Sequence, residues 1–237
     1  MKPQKGNLYL IPCTLGDTPP LEVLPLLVKK AVEHIDHYIV EHEKNARQFI
    51  KSIVPRKSQP DLQFQLINKF TNEGEIPQML SPCFEGIDVG VISDAGCPGI
   101  ADPGAAVVKE AHANGIKVVP LVGPSSILMA MMASGFNGQN FAFNGYLPID
   151  KKERKAELKR LERLSYERDQ SQLFIETPYR NNQMLESLLV SLHKDTRLCV
   201  ACDITLPSEY IKTTTVEHWK KIKVDLHKRP TLFVIQK

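Results

Sequence analysis

The sequence lacks any apolar run that approaches the ~20 residues needed to cross a membrane. It also lacks a strong charge of either sign, because 30 Lys and Arg residues face 27 Asp and Glu residues among the 237, a formal net charge of +3. A protein that holds long duplex nucleic acid by its phosphates is usually more basic. The missing apolar run therefore argues against a membrane-spanning protein, whereas the charge alone decides nothing and leaves open an RNA target that is small or part of a larger particle.

Cysteine is scarce, scattered and odd in number, with five residues in the chain. This pattern argues against a disulfide framework and for a reducing compartment. The segment from Met1 to Gly6 leads directly into a strand-like run and not into the apolar region of a signal peptide. We therefore expect a cytoplasmic protein.

Several ligand motifs are also missing. The chain contains neither G-x-G-x-x-G nor G-x-x-x-x-G-K-[ST], so NAD and nucleoside triphosphate binding lose their main support. Cys199 and Cys202 form a C-x-x-C pair, but in a strand their side chains point to opposite faces. No second pair of Cys or His residues stands at zinc spacing. No metal site is expected.

Short apolar runs alternate with segments of helical spacing along the whole chain. The apolar runs predict strands at residues 8–12, 37–41, 64–67, 88–92, 117–121, 141–143, 172–175, 197–201, 210–215 and 232–235. Helical spacing predicts helices at residues 21–34, 45–53, 105–114, 126–134, 151–168, 182–193 and 218–222.

This alternation is typical of α/β proteins, in which helices cover both faces of a parallel sheet. The continuous apolar character of residues 88–92 fits a strand buried on both sides. In the second half only one short helix separates the last two strands, which indicates a mixed sheet. The sequence predicts two α/β domains, residues 1–121 with a mostly parallel sheet and residues 122–237 with a mixed sheet.

Three loops at predicted strand ends carry the residue types of a ligand site. Residues 93–104 (SDAGCPGIADPG) follow one strand, residues 122–126 (VGPSS) follow another, and residues 11–17 (IPCTLGD) end the first. Because ligands bind at the carboxyl edge of parallel sheets, the three loops predict one cleft. Ordinary turns explain the Gly and Pro residues of these loops as well as a ligand site does, and Ser125 taken alone indicates a plain helix N-cap.

Longer motifs then make the pattern specific. The segments VGVISDAGCPGIADPG, KVVPLVGPSSILMAMMASGF, FAFNGYLP and FIETPYR occur in this order, after LYLIPCTLGD. They resemble the consecutive signature segments of the small-subunit ribosomal RNA methyltransferase I family, within the tetrapyrrole methylases. The resemblance implies a class III methyltransferase fold with S-adenosylmethionine in the cleft between the two domains. It further implies a homodimer that methylates a ribose 2′-hydroxyl of small-subunit ribosomal RNA, with no metal.

The resemblance also assigns residues by matching position. Glu41, the carboxylate of a substrate-side segment, becomes a candidate to orient or deprotonate the acceptor hydroxyl, with Glu176 as the alternative; a surface role is equally open for Glu41. The residues expected to bind the cofactor are Pro12, Leu15, Asp94, Gly96, Cys97, Gly123, Ser125, Ser126 and Ile175.

The chain departs from the family pattern on the substrate side. Glu41-His42-Glu43-Lys44 stands where the family reads Glu-Asp-Thr-Arg, and residues 202–206 (CDITL) replace Arg-Glu-Leu-Thr-Lys. Two alternatives to a ribosomal RNA methyltransferase therefore stay open. One is a methyltransferase for a small tetrapyrrole-like acceptor, and the other is a non-catalytic module that binds the cofactor or RNA. The basic helix at residues 151–168, predicted to bury Leu158, Leu161 and Leu164, is either a solvated face or a phosphate-binding surface.

Overall fold

The structure, a computed structural model, describes residues 4–237. Met1–Pro3, which begin the segment that argues against a signal peptide, lie outside the described residues. The chain divides into two compact units, Met1–Ser125 and Ser126–Lys237. Within the described part, no helix has the length and apolar character to cross a membrane.

The first unit is built on a parallel sheet, as the sequence predicts. Its strands are β1 (Leu8–Ile11), β2 (His37–Val40), β3 (Gln63–Leu66), β4 (Val89–Ile92) and β5 (Val118–Pro120). They lie in the order β3-β2-β4-β1-β5, and every neighbouring pair is parallel. All five carboxyl ends therefore meet at one edge of the sheet.

Helices cover both faces of this sheet. They are α1 (Pro20–Val23), α2 (Leu26–His34), α3 (Glu43–Ile53), α4 (Ile76–Met79), α5 (Ser81–Phe84) and α6 (Gly104–Ala113), with a 3₁₀ turn at Glu73–Glu75. Adjacent residues of a strand point to opposite faces of the sheet and pack in different cores. Tyr38 packs with α2 and α3, whereas Ile39 packs with α4 and α6. Burial on both faces is why the central strand β4 has no polar side chain and is buried at all four positions.

One predicted helix of the first unit is wrong in its continuity. Helical spacing predicted a single helix over residues 21–34, but the structure breaks it into α1 and α2. Leu24 is extended, with φ −112° and ψ 135°, because it precedes Pro25. Proline disfavours helical geometry in the residue before it and is itself well placed at a helix start.

The second unit contains the mixed sheet that the sequence predicts. Its strands are β6 (Phe141–Tyr146), β7 (Ser171–Ile175), β8 (Arg197–Cys202), β9 (Tyr210–Thr215) and β10 (Thr231–Gln236), in the order β6-β7-β10-β8-β9. Only β6 and β7 pair in parallel among these neighbours. The helices are α7 (Ser126–Ser134), α8 (Lys151–Arg168), α9 (Asn181–Ser191) and α10 (Val216–Trp219).

Helix α10 lies two residues earlier than predicted. The hydroxyl of Thr215 accepts a hydrogen bond from the amide of His218, so Thr215 is the N-cap and the helix begins at once after β9. This position buries Trp219 completely and lets its indole N–H donate to the carbonyl of Leu198 at 2.8 Å. The tryptophan thereby ties α10 to β8.

Helix α8 begins and ends where the sequence predicts, but its buried face differs. Asp150 caps it by accepting the amides of residues 152 and 153. Arg154, Leu158, Leu161 and Ser165 form the buried stripe, and Leu164 is only partly buried, so the predicted leucine stripe is wrong at that position. The spacing of four, three and four residues follows the helical repeat more closely.

The C-x-x-C pair lies in β8, where alternate residues face opposite sides. Cys202 packs in the main core cluster of the second unit together with Leu198 and Val200, and Cys199 lies at the intervening register. Burial raises the pKa of both thiols. Neither cysteine is therefore placed or activated for redox chemistry with the other.

Candidate functional site

Three loops follow neighbouring strands at the carboxyl edge of the first sheet. The β1 loop is residues 12–19, the β4 loop is residues 93–103, and the β5 loop is residues 121–125. Ile92 pairs with both Ile11 and Val40, so β1, β2 and β4 end level with one another. The residues that follow each strand therefore emerge side by side.

Hydrogen bonds join the three loops. The amide of Cys13 donates to the carbonyl of Gly96 at 2.9 Å, which links the β1 loop to the β4 loop. The Cys97 thiol lies 3.4 Å from the carbonyl of Pro124, which links the β4 loop to the β5 loop. Burial raises the pKa of this thiol, which keeps it a protonated donor. The sequence-predicted convergence of these loops is therefore present within the first unit.

Two glycines are required by this close packing. A Cβ atom on Gly123 would lie 2.3 Å from ring carbons of Pro12, so no other residue fits there without movement of the backbone. Gly96 has φ +68°, a left-handed conformation that favours glycine, and its Cα faces the side chain of Leu15. The loops approach each other at distances that side chains would prevent.

Asp102 holds the far end of the β4 loop. Its Oδ1 accepts the amides of Gly99 and Gly104, both at 2.8 Å, and so closes the turn that leads into α6. Its Oδ2 is buried and has no hydrogen-bond partner among residues 4–237. Burial raises the pKa of this carboxyl, and the two amide hydrogen bonds oppose that shift.

Asp94 is the centre of a polar network beside this loop. Its Oδ2 lies 2.7 Å from Nδ1 of His42, and its Oδ1 accepts from Nδ2 of Asn45 at 3.1 Å. The amide of Asp94 donates to Oε1 of Glu41 at 3.3 Å. Burial raises the pKa of Glu41, an effect that the hydrogen bond from the Asp94 amide opposes. The end of β2 and the start of α3 are thus joined to the β4 loop through Asp94, by its backbone amide and its carboxylate respectively.

A cavity of about 650 Å³ opens next to this network. It is lined by the β1 loop, one face of α3 and the end of β4, and Asp17, Asn45, Phe49 and Asp94 contribute to its wall. Polar groups and one aromatic ring therefore surround a space large enough for a small planar ligand or a nucleoside.

The remaining predicted site residues belong to the second unit. Ser126 begins α7, and Ile175 ends β7. Glu176 follows Ile175 and is buried, with its Oε1 accepting the Thr177 amide and the Arg180 guanidinium, both at 2.6 Å. Burial alone would raise its pKa, but these donors outweigh it and lower the pKa of Glu176. Its carboxylate is engaged in holding the turn between β7 and α9.

Hydrogen bonds hold the segment at the end of β8, residues 202–206, which differs from the family pattern. Asp203 accepts from Nε of Arg229 at 2.7 Å and from the hydroxyl of Ser208 at 2.8 Å. Thr205 has φ +75°, which is uncommon for a β-branched residue and marks a strained turn. Arg229 thus brings a guanidinium to this segment, which sequence reasoning missed because 26 residues separate it from Asp203.

Comparison with known proteins gives consistent matches. The model of the family "Tetrapyrrole (Corrin/Porphyrin) Methylases" matches residues 16–219. A ribosomal RNA small subunit methyltransferase I from Bacillus subtilis (strain 168) is 31% identical over 91% of this chain and 70% of its own length. A protein of the same name from Leptospira borgpetersenii is 32% identical, over 88% of this chain and 79% of its length.

The fold has solved counterparts as well. The structure of the methyltransferase CobJ superposes with a TM-score of 0.64 and 18% identity, and the match covers 98% of this chain and 94% of that one. At this identity the likeness concerns the fold. It agrees with the predicted α/β architecture of a parallel and a mixed sheet.

Asp102 gives a testable pH dependence. Because its pKa is raised in the folded state, the folded protein binds this proton more tightly than the unfolded chain does. Its contribution is most favourable below the ordinary pKa of aspartate, about 3.9, and is lost as pH rises through the raised value. In Asp102→Asn this loss should be absent, since the side chain no longer titrates while its oxygen can still accept both amides.

Urea unfolding at several pH values between about 4 and 7 measures this effect. Asp17→Asn, which removes an exposed carboxylate from the β1 loop, is the matched control for the loss of one negative charge. Equal slopes in wild type and Asp102→Asn would contradict the assignment.

Proposed function

The chain belongs to the family of tetrapyrrole methylases, and on this premise we propose that it transfers a methyl group from S-adenosylmethionine to a ribose 2′-hydroxyl of small-subunit ribosomal RNA. The observation that carries the proposal is the joining of the β1, β4 and β5 loops at one sheet edge, in a chain 31% identical to a ribosomal RNA methyltransferase over 91% of its length. Methyltransferases of this family use S-adenosylmethionine.

The residues at this edge fit the chemistry of that cofactor. Asp94 offers a carboxylate for ribose hydroxyls or the ammonium group, since each oxygen has a second lone pair beyond its present hydrogen bond. Leu15, packed over Gly96, offers apolar contact for the adenine. Ser125 and Ser126 stand at the start of α7, where helix amide groups suit a carboxylate. Pro12, Cys97 and Gly123 hold the loops in place.

When bound, the cofactor supplies a methyl group on a positively charged sulfur, which is already a good leaving group. The protein must then align the acceptor hydroxyl, exclude water and accept a proton. Glu41 suits the orienting role because it lies next to Asp94 and is only partly committed, with a 3.3 Å hydrogen bond. Glu176 is less suited, because Arg180 and the Thr177 amide already occupy its carboxylate.

Helix α8 supports an RNA acceptor. Its lysines at positions 151, 152, 155 and 159 are exposed, and within the described chain none of them forms an ion pair with a carboxylate. Arg154, by contrast, is buried and donates to Ser187 and to the carbonyl of Ile149. The lysine side chains are therefore available to contact phosphate, in place of the basic residues that the family carries in its two substrate-side segments.

Transfer of labelled methyl groups tests the proposal directly. We expect label from S-adenosylmethionine in the RNA of intact small ribosomal subunits that lack the modification, at a ribose that becomes resistant to alkaline cleavage on its 3′ side. Label in small tetrapyrrole-like molecules alone would replace RNA by the small acceptor. Cofactor binding without transfer to either would identify a non-catalytic module, and no binding would contradict the proposal altogether.

Asp94→Ala tests the cofactor assignment. Removal of a charged or ribose hydrogen bond should weaken S-adenosylmethionine binding by about 1.5–3 kcal/mol. Isothermal titration calorimetry measures this loss. Asp61→Ala removes an exposed aspartate from the same unit just before β3, at the opposite edge of the sheet, and should bind as wild type does. Unchanged affinity in Asp94→Ala would move the cofactor elsewhere.

Charge reversal on α8 tests the RNA assignment. Changing Lys152, Lys155 and Lys159 to Glu should weaken RNA binding and flatten its salt dependence by roughly 0.7–0.9 in slope per lost phosphate contact. Cofactor binding should remain. A control with the same change in net charge replaces Lys220, Lys221 and Lys223, which are also exposed. Equal effects of the two triple variants would show general charge repulsion and would reject α8 as the RNA contact.

A further inference from the structure

We propose that His42 is the general base for methyl transfer, with Asp94 as the residue that orients it. The inference rests on the proposed function and deepens it, because it names the group that takes the acceptor's proton. It starts from the histidine that directly follows Glu41, just past the end of β2. Sequence analysis alone gave this histidine no role.

The position of His42 follows from the sheet. His42 is the N-cap residue of α3, just past the end of β2, and β2 pairs with β4. Its side chain does not cap the helix. Instead the imidazole reaches across to the β4 loop and places Nδ1 2.7 Å from Oδ2 of Asp94. The contact therefore depends on the level ends of two adjacent parallel strands and not on local helix chemistry.

The partner of Nδ1 determines which ring nitrogen is basic. An ionised carboxylate can only accept hydrogen bonds, so Nδ1 must carry the proton in this pair. In the neutral ring the other nitrogen, Nε2, then holds a lone pair and no proton. Two-thirds of the His42 side chain is exposed, and no hydrogen bond to its Nε2 is present among the described residues. The ring is thus in the form that accepts a proton from a ligand.

Asp94 is itself held in position for this task. Asn45, one turn into α3, donates to its Oδ1 at 3.1 Å, which leaves Oδ2 directed to His42. The order Asn45, Asp94, His42 reproduces the general arrangement of a base oriented by a carboxylate that a third group fixes. Asp94 and Asn45 also line the 650 Å³ cavity, and His42, which is not part of the lining, contacts that wall through Asp94.

Other charges around the ring belong to few groups. Glu41 precedes it just past the end of β2, Glu43 and Lys44 follow it on α3, and Asp94 faces it from the β4 loop. Glu43 is paired with Arg47 at 2.8 Å. The carboxylates of Asp94 and Glu41 are therefore the acidic groups next to the ring that are not paired with an arginine.

The step balances with these groups alone. The acceptor oxygen gains the methyl group, its proton passes to Nε2 of His42, and the electron pair of the broken carbon–sulfur bond stays on the sulfur of the cofactor. The imidazolium that forms is stabilised by Asp94. Glu41 then orients the hydroxyl and need not remove its proton, so Glu41 and His42 have separate roles.

The test compares the pH dependence of methyl transfer in variants of the full chain, with small ribosomal subunits as the acceptor. Wild-type kcat should fall at acid pH, because a protonated ring cannot act as base. His42→Asn keeps a donor toward Asp94 and removes the base. Its kcat should drop on the order of 10²-fold and lose this pH limb. Glu41→Gln should keep the limb at a reduced rate.

Controls separate this proposal from the one it rests on. His34 also pairs with an aspartate, Asp88, at 3.6 Å. Both residues precede parallel strands, β2 and β4, so this pair lies at the amino edge of the sheet, opposite the loops of the site, and His34→Asn should retain wild-type kcat and pH profile. Calorimetry should show unchanged cofactor affinity in His42→Asn, and His42→Gln provides a second variant if the first does not fold.

A wild-type rate and pH limb in a folded His42 variant would overturn the role of His42 and leave the methyltransferase proposal intact. Absence of transfer by wild type would overturn the proposed function instead.

Discussion

The site depends on one constraint, the parallel pairing of β4 with β1 on one side and β2 on the other. The same β4 residues pair with both neighbours, so that Val89 is level with Leu8 and His37, and Ile92 is level with Ile11 and Val40. A shift of one residue in either pairing would turn every side chain to the other face of the sheet. Burial of both faces prevents that shift and therefore fixes where the three chain segments leave the sheet.

The loops at this edge divide into two kinds of chemistry. On the side of β1, β4 and β5, glycines, prolines and a protonated thiol bring backbone groups into contact, which suits a ligand held largely by main-chain atoms and apolar contact. On the side of β2 and α3, Glu41, His42 and Asn45 all reach Asp94. Asp94 thus belongs to both, which gives a physical reason for a cofactor and an acceptor to meet at this residue.

The sequence predicted the architecture well and the polar network poorly. Apolar runs make the strands and the fold class predictable, and the long motifs indicate the family. The break at Pro25 and the position of α10 were missed because proline geometry and the Thr215 cap act through single residues. The pairs His42–Asp94 and Asp203–Arg229 join residues 52 and 26 positions apart, so only the folded chain brings them together. Leu164 lies at the border of the buried stripe because the stripe steps from Leu161 to Ser165, and hydropathy alone favours the leucine over the serine.

If the joined loops at the carboxyl edge of the first sheet form the cofactor site, a ligand held by loop backbone slows exchange of those amides. Hydrogen–deuterium exchange of the full chain, with and without the product S-adenosylhomocysteine, measures this protection. Increased protection is expected in residues 13–18, 93–104 and 121–126, with little change at the opposite edge of the sheet. Protection confined to other segments, or none at saturating ligand, would contradict it.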